Sequence, residues 1–197
     1  KNKDKCYFIK IENGKKIAYD LVDSIIICKV PNFITGSKNP IEIFEIILVQ
    51  TDYFTDMSFM FAGCHYFLGS DELSKLKTEK VTNMSAFFLE CENLQQLGDI
   101  GDLNIANVTD ISGFFGKCIY LDELPDLSKW NTSNVKNMQA LFTKCEKLTS
   151  ITGMENWNIS NVTNISFLFN ECINLIKFPD ISNWDTSNVV DMSFMFK

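Results

Sequence analysis

The sequence predicts an α/β solenoid, a right-handed stack of about six coils built from short strands and short helices, behind an N-terminal β-hairpin-type cap. Three observations carry that prediction. A phenylalanine recurs every 27 residues, at Phe61, Phe88, Phe115, Phe142, Phe169 and Phe196. A cysteine follows three positions later, at Cys64, Cys91, Cys118, Cys145 and Cys172. An Asx residue keeps the same interval at Asp56, Asn83, Asp110, Asn137, Asn164 and Asp191. Three columns in phase, with no insertion between copies, mark an array of stacked units.

The elements follow in chain order. Residues 1–40 lack the repeat and form the predicted cap. Alternation from Tyr7 to Glu12, the pair Asn13 and Gly14, and a run containing Ile17 make a hairpin signal. A further apolar run, Ile25 to Val30, predicts another strand. Residues 41–197 form the predicted array, whose period fades backwards into Ile46 and Val49.

Within each copy two segments are expected. Val108, Ile111, Phe114, Phe115 and Cys118 fall on one face of a short helix. The Asx column just before them sits where an N-cap belongs, accepting hydrogen bonds from unpaired backbone N–H groups. After the cysteine, Leu121, Leu124, Leu127 and Trp130 recur every third residue. That spacing suits a coil turning its apolar groups inward, with a short strand where neighbouring copies pair. A helix-and-strand unit of this length implies a right-handed solenoid of leucine-rich-repeat type. The last copy stops before its cysteine column, so the parent protein is expected to continue, or this end to pack on another molecule.

Composition narrows the function. An apolar fraction of 46% with 22% charged residues is that of a globular protein. No apolar run approaches the roughly 20 residues of a membrane-spanning helix, so no membrane insertion is expected within this chain. Residues 1–40 hold eight lysines against four acidic groups, and residues 41–197 hold ten against 21. Arginine is absent. An acidic array with no arginine is a poor ligand for phosphates or bases, so nucleic acid is set aside as a partner.

The repeat WNTSNVKNMQALFTKC, with its relatives ending in MSFMF, resembles the BspA-like leucine-rich-repeat surface proteins. The nearer likeness is to the variant whose unit reads W-D-T-S-N-V-T-N-M-S-x-M-F-x-x-C, and it covers about residues 50–197. The first copy departs from it with YFTDMSFMF and the second with EKVTNMSAFF. The resemblance implies a secreted or cell-surface protein of bacteria or protozoan parasites. It implies adhesion to host extracellular-matrix proteins, cell-surface molecules or neighbouring cells. It supplies no catalytic motif.

Each chemical motif has a plainer role. Five ladder cysteines with parallel side chains cannot all pair, and no C-x-x-C zinc spacing occurs. They are expected as buried free thiols, while Cys6 and Cys28 lie outside the ladder and can pair if the protein is exported. The Asx column reads as capping, and no calcium-loop motif is present, so no metal or cofactor is expected. Trp130, Trp157 and Trp184 share a column with Leu76 and Leu103, which points inward. His65 is the single histidine, too little for a catalytic triad, and no enzyme activity is expected.

The residues that break the columns remain. Tyr66, Ile119, Tyr120, Ile173 and Ile176 are bulky groups at nominally outward positions, and they are the candidate partner-binding residues. The expected partner is a protein or a glycan. A structural spacer and an intracellular interaction module are the alternatives.

Overall fold

The computed structural model describes residues 7–12, 15–20, 44–47, 54–65 and 67–197. Three strands come first: β1 (Tyr7–Glu12), β2 (Lys15–Asp20) and β3 (Phe44–Ile47). β1 and β2 pair antiparallel with Glu12 opposite Lys15, the register of a two-residue hairpin connection. β3 lies in the stretch read as the array's fading start. It pairs antiparallel with the other edge of β1, Tyr7 opposite Ile47, giving the strand order β2-β1-β3. The strand expected from Ile25 to Val30 lies outside the described residues.

From residue 54 onward the chain is a stack of 27-residue coils. The segment expected as a helix in each coil is a ribbon of consecutive turns. In the third coil the N–H groups of Phe114, Gly116 and Cys118 each close a turn onto the carbonyl three residues back, at 3.2, 2.9 and 3.1 Å. The alternating residues do something else. Ile111, Gly113, Phe115 and Lys117 donate across to Asn137, Gln139, Leu141 and Thr143 of the next coil, at 3.1, 2.8, 2.9 and 2.7 Å. A helix would direct all of these donors along its own axis.

The cause lies in two backbone positions per coil. One column holds Phe59, Ala86, Gly113, Ala140, Phe167 and Phe194, and all have φ between +55° and +62°. The other holds Gly63, Glu90, Lys117, Lys144 and Glu171, with φ from +57° to +74°. A left-handed residue ends helical propagation, so the predicted helix cannot extend through them. The helices among the described residues are three short 3-10 turns, Asp71–Lys75, Ile100–Asp102 and Met154–Asn156, and they fall after the cysteine column.

The predicted strands shrink likewise to single bridges. One parallel bridge per interface joins the Asx column, from Asp56 with Asn83 through to Asn164 with Asp191. A second links Gly69 with Gln96 and Ser150 with Lys177. Between such bridges the inward side chains stack. Rings in the Phe61 to Phe196 column lie parallel at centroid separations of 5.2 to 6.0 Å. Trp130 and Trp157 stack at 5.9 Å. The core is therefore one continuous column of Met, Phe, Cys, Leu, Val and Trp side chains. Its last coil is less covered: Phe196 is 59% exposed where Phe115 is 0%. Among the described residues no helix is long and apolar enough to cross a membrane.

Candidate interaction surface

Stacking coils buries polar groups, and each needs a partner. The ladders supply them from the neighbouring coil. The Sγ of Cys91, Cys118, Cys145 and Cys172 donates to the carbonyls of Phe61, Phe88, Phe115 and Phe142, at 3.0, 3.3, 3.1 and 2.9 Å. Trp130, Trp157 and Trp184 donate their indole Nε1–H to Ile100, Leu127 and Met154 carbonyls at 3.1 to 3.2 Å. Asn107, Asn134, Asn161 and Asn188 each donate an Nδ2 hydrogen bond of 2.7 Å to the preceding coil. Cysteine and tryptophan thus hold the same office in different columns: a buried, largely apolar body with one weakly polar donor.

The Asx column accepts the backbone N–H two residues on, as Asp110 does from Ser112 and Asn164 from Ser166. This is an Asx-turn and not a helix N-cap, although the hydrogen bond has the same chemistry. No two aspartates are adjacent in that column, and Asn137 donates Nδ2 to Asp110 at 3.1 Å. Like charges are thereby kept apart without a lysine.

Burial pushes the Cys91 thiol up to about 12 and Cys172 up to about 11, and it holds Cys118 and Cys145 well above the ordinary thiol range. These thiols are neutral and shielded, the opposite of an activated nucleophile. Cys91, Cys118, Cys145 and Cys172 are free. Cys64 is not: it is disulfide-bonded, which corrects the expectation of a ladder made wholly of free thiols. Its partner lies outside the described residues, as do Cys6 and Cys28. Cys64 opens the ladder, and no earlier described coil offers it the carbonyl that Phe61 offers Cys91.

The outward faces differ in character. On the ribbon face charges are matched across coils: Lys117 with Glu90 at 2.5 Å and Lys144 with Glu171 at 3.3 Å. The Lys117 ammonium, hydrogen-bonded to Glu90, holds that carboxyl below its usual range. Beside the 3-10 turns Lys129 meets Asp102 at 2.6 Å.

The face just after the cysteine column carries the candidate residues. Tyr120 is 50% exposed although coils flank it on both sides, and Ile119 beside it is half-buried. Ile173 and Ile176, at 72% and 81%, share the next coil but one. The backbone sets their spacing. Tyr120 N–H donates to the Glu92 carbonyl and Lys147 N–H to the Ile119 carbonyl, so Glu146 and Lys147 stand between Ile119–Tyr120 and Ile173. The residues are brought to one face but not into one contiguous patch. Tyr66 lies outside the described residues. Leu68, 46% exposed in the column of Ile176, belongs to the same face and was missed. Its signal was present in the sequence as another break in a polar column. Across this face four columns change from coil to coil: His65, Glu92, Ile119, Glu146, Ile173 is one, and Leu68, Gln95, Asp122, Thr149, Ile176 is another.

His65 Nδ1 lies 3.3 Å from Glu92 on the same face. Cys64, beside His65, is committed to its disulfide and offers that pair no thiol. Among the described residues no three His, Cys, Asp or Glu side chains gather as a metal site would require.

A family model described as "Mycoplasma protein of unknown function, DUF285" matches residues 41–153 and again 122–197. Among solved structures, the chain is similar to one described as the crystal structure of the T. pallidum leucine-rich-repeat protein TpLRR, at 18% identity and a TM-score of 0.35. That likeness covers 62% of this chain and 61% of the other, so the chain spans less than two thirds of that protein's length. No curated protein matches.

Proposed function

This chain belongs to the DUF285 family, and from that premise we propose that it is a non-enzymatic repeat protein whose solenoid binds a partner outside the cell. The partner is a protein or glycan, such as an extracellular-matrix or cell-surface molecule, as the BspA-like resemblance implies. One observation carries the reading. The ladders supply most of the scaffold's polar partners, yet the Tyr120 side chain stands half-exposed between two coils, with only its backbone N–H bonded to the coil before. Bulky side chains at such positions are the usual anchors of recognition. The disulfide at Cys64 supports export, because disulfides persist in oxidising compartments.

The test compares the chain with a variant carrying Ile119→Ser, Tyr120→Ser, Ile173→Ser and Ile176→Ser. Both are immobilised and probed with purified matrix proteins and a glycan panel, and circular dichroism monitors folding. The expected result is a ligand retained by the parent chain and lost by a folded variant. Equal retention by both would remove these residues from the reading.

A further inference from the structure

The face that carries Ile119 and Tyr120 gathers carboxylates around an exposed apolar pair. Ile119 lies in one column with Glu92 on the coil before and Glu146 on the coil after. Asp122 and Glu123 follow it on its own coil. The hydrogen bonds from Tyr120 N–H to the Glu92 carbonyl and from Thr149 N–H to the Asp122 carbonyl hold these coils in register. Four carboxylates therefore frame one apolar pair, and a single lysine, Lys147, stands among them.

Pairing with lysine is confined to a few carboxylates among the described residues. Glu90, Asp102 and Glu171 each have a lysine from an adjacent coil. Among the described residues Asp122, Glu123 and Glu146 have none, as holds for most carboxylates of the array, and Glu92 has only His65, a cation only when protonated. Unmatched like charges around an exposed tyrosine give nothing to the stack. They complement a partner that brings positive charge around an apolar group.

We infer that the segment bound on the Ile119–Tyr120 face is a cationic stretch of polypeptide, with an apolar side chain seated against Tyr120 and lysines or arginines reaching Glu92, Asp122, Glu123 and Glu146. The inference rests on the interaction reading above and gives its partner a chemical class. Its attraction is exposed to solvent, so it weakens with salt over a Debye length of about 10 Å at 0.1 M.

The test uses the full chain and three synthetic peptides of about 20 residues, each with one tryptophan: lysine–leucine, glutamate–leucine and serine–leucine. Binding is read by fluorescence anisotropy at 20 mM and 300 mM salt. The lysine peptide is expected to bind at least tenfold more tightly than either other peptide, and to weaken at least tenfold at the higher salt. The variant E92Q/D122N/E123Q/E146Q should lose that advantage and most of the salt dependence. Y120S should weaken binding several-fold with the salt dependence intact. A control variant, E79Q/E155Q, removes charge elsewhere and should change affinity less than twofold. Loss in the control equal to loss in the face variant would overturn the inference, because general acidity would then explain it. Equal binding of all three peptides, sensitive to Tyr120 but not to the carboxylates, would overturn the cationic class and leave the interaction surface standing. No binding by any peptide would overturn the inference as well.

Discussion

Two surfaces of one coil follow opposite rules. Along the turn ribbon, coil after coil repeats the same office: an Asx turn, a left-handed residue, a crossing N–H, a phenylalanine inward, a cysteine whose sulfur reaches back 30 residues. Just past the cysteine the neighbouring residues share a column but little else, as His65, Glu92, Ile119, Glu146 and Ile173 show. The ribbon positions are constrained because a side chain or N–H at each completes a bond with a neighbouring copy. The face beyond is less constrained: Asn93 and Asn174 donate to the His65 and Glu146 carbonyls and His65 meets Glu92, but elsewhere on it backbone N–H groups carry the bonds between coils. Variation inside one chain thus separates scaffold from surface without any relative for comparison.

The strongest way to break that comparison is to truncate one residue on each side of it. Phe115→Ala removes a fully buried ring stacked between Phe88 and Phe142, and should cost about 3–5 kcal/mol in urea unfolding. Tyr120→Ala should cost under about 0.5 kcal/mol, as surface changes do. If the tyrosine proved the costlier of the two, the face would be scaffold.

A smaller effect separates the donor from the bulk. Trp157→Phe keeps a large ring and leaves the Leu127 carbonyl with the Trp130 N–H alone, a loss of about 1 kcal/mol measured the same way. Thr78 offers the converse. Its hydroxyl is buried and lacks a hydrogen-bond partner, while Thr132 in the same column donates to the Asn158 carbonyl and Ile105 and Ile159 are apolar there. Thr78→Val should therefore raise stability by about 1 kcal/mol, and a fall would mean the hydroxyl is satisfied in solution.

Thiol mapping tests the ladder chemically. In native, unreduced protein Cys91, Cys118 and Cys145 should resist iodoacetamide, label after denaturation, and leave Cys64 to label only after reduction. Peptide mass spectrometry reads each site. Labelling of Cys118 in the native state would mean that the stack opens readily.

The smallest effect is in acid. Hydrogen bonds from the Ser182 and Ser187 side chains and backbone hold the carboxyls of Asp180 and Asp185 below their usual range. A depressed folded-state value contributes stability above the unfolded value, near pH 4, which is lost as pH falls through the folded one. Thermal midpoints should therefore decline below about pH 4, and Asp185→Asn should blunt that decline by removing a titrating group.

Much of this was readable from residue order. The period, the inward columns and the β1–β2 hairpin all follow from spacing and turn chemistry. The ribbon did not, for a physical reason. Buried residues at 111, 114, 115 and 118 fit a helix, but consecutive turns also bring residues three apart to one side. What separates the two is a positive φ at Ala86, Lys117 and Ala140, and none of those residue types announces one. Gly113 and Gly116 inside the supposed helix were the available hint. The candidate site was legible only as broken columns. Its residues could be named, but the interposed Glu146 and Lys147 and the missing lysine partners emerge only when the coils are stacked.

The direction of the bonds between coils has a consequence for inheritance. The crossing N–H groups after each Asx residue point to the next copy, and the sulfur, indole and most side-chain amide donors point to the preceding one. Each unit consequently offers on one side what it requires on the other. An in-frame duplication or deletion of 81 nucleotides inside the array would leave these donors facing backbone carbonyls at matching positions. Length can then drift under recombination while the cross-section is preserved, and each new copy arrives with an outward face that is free to diverge.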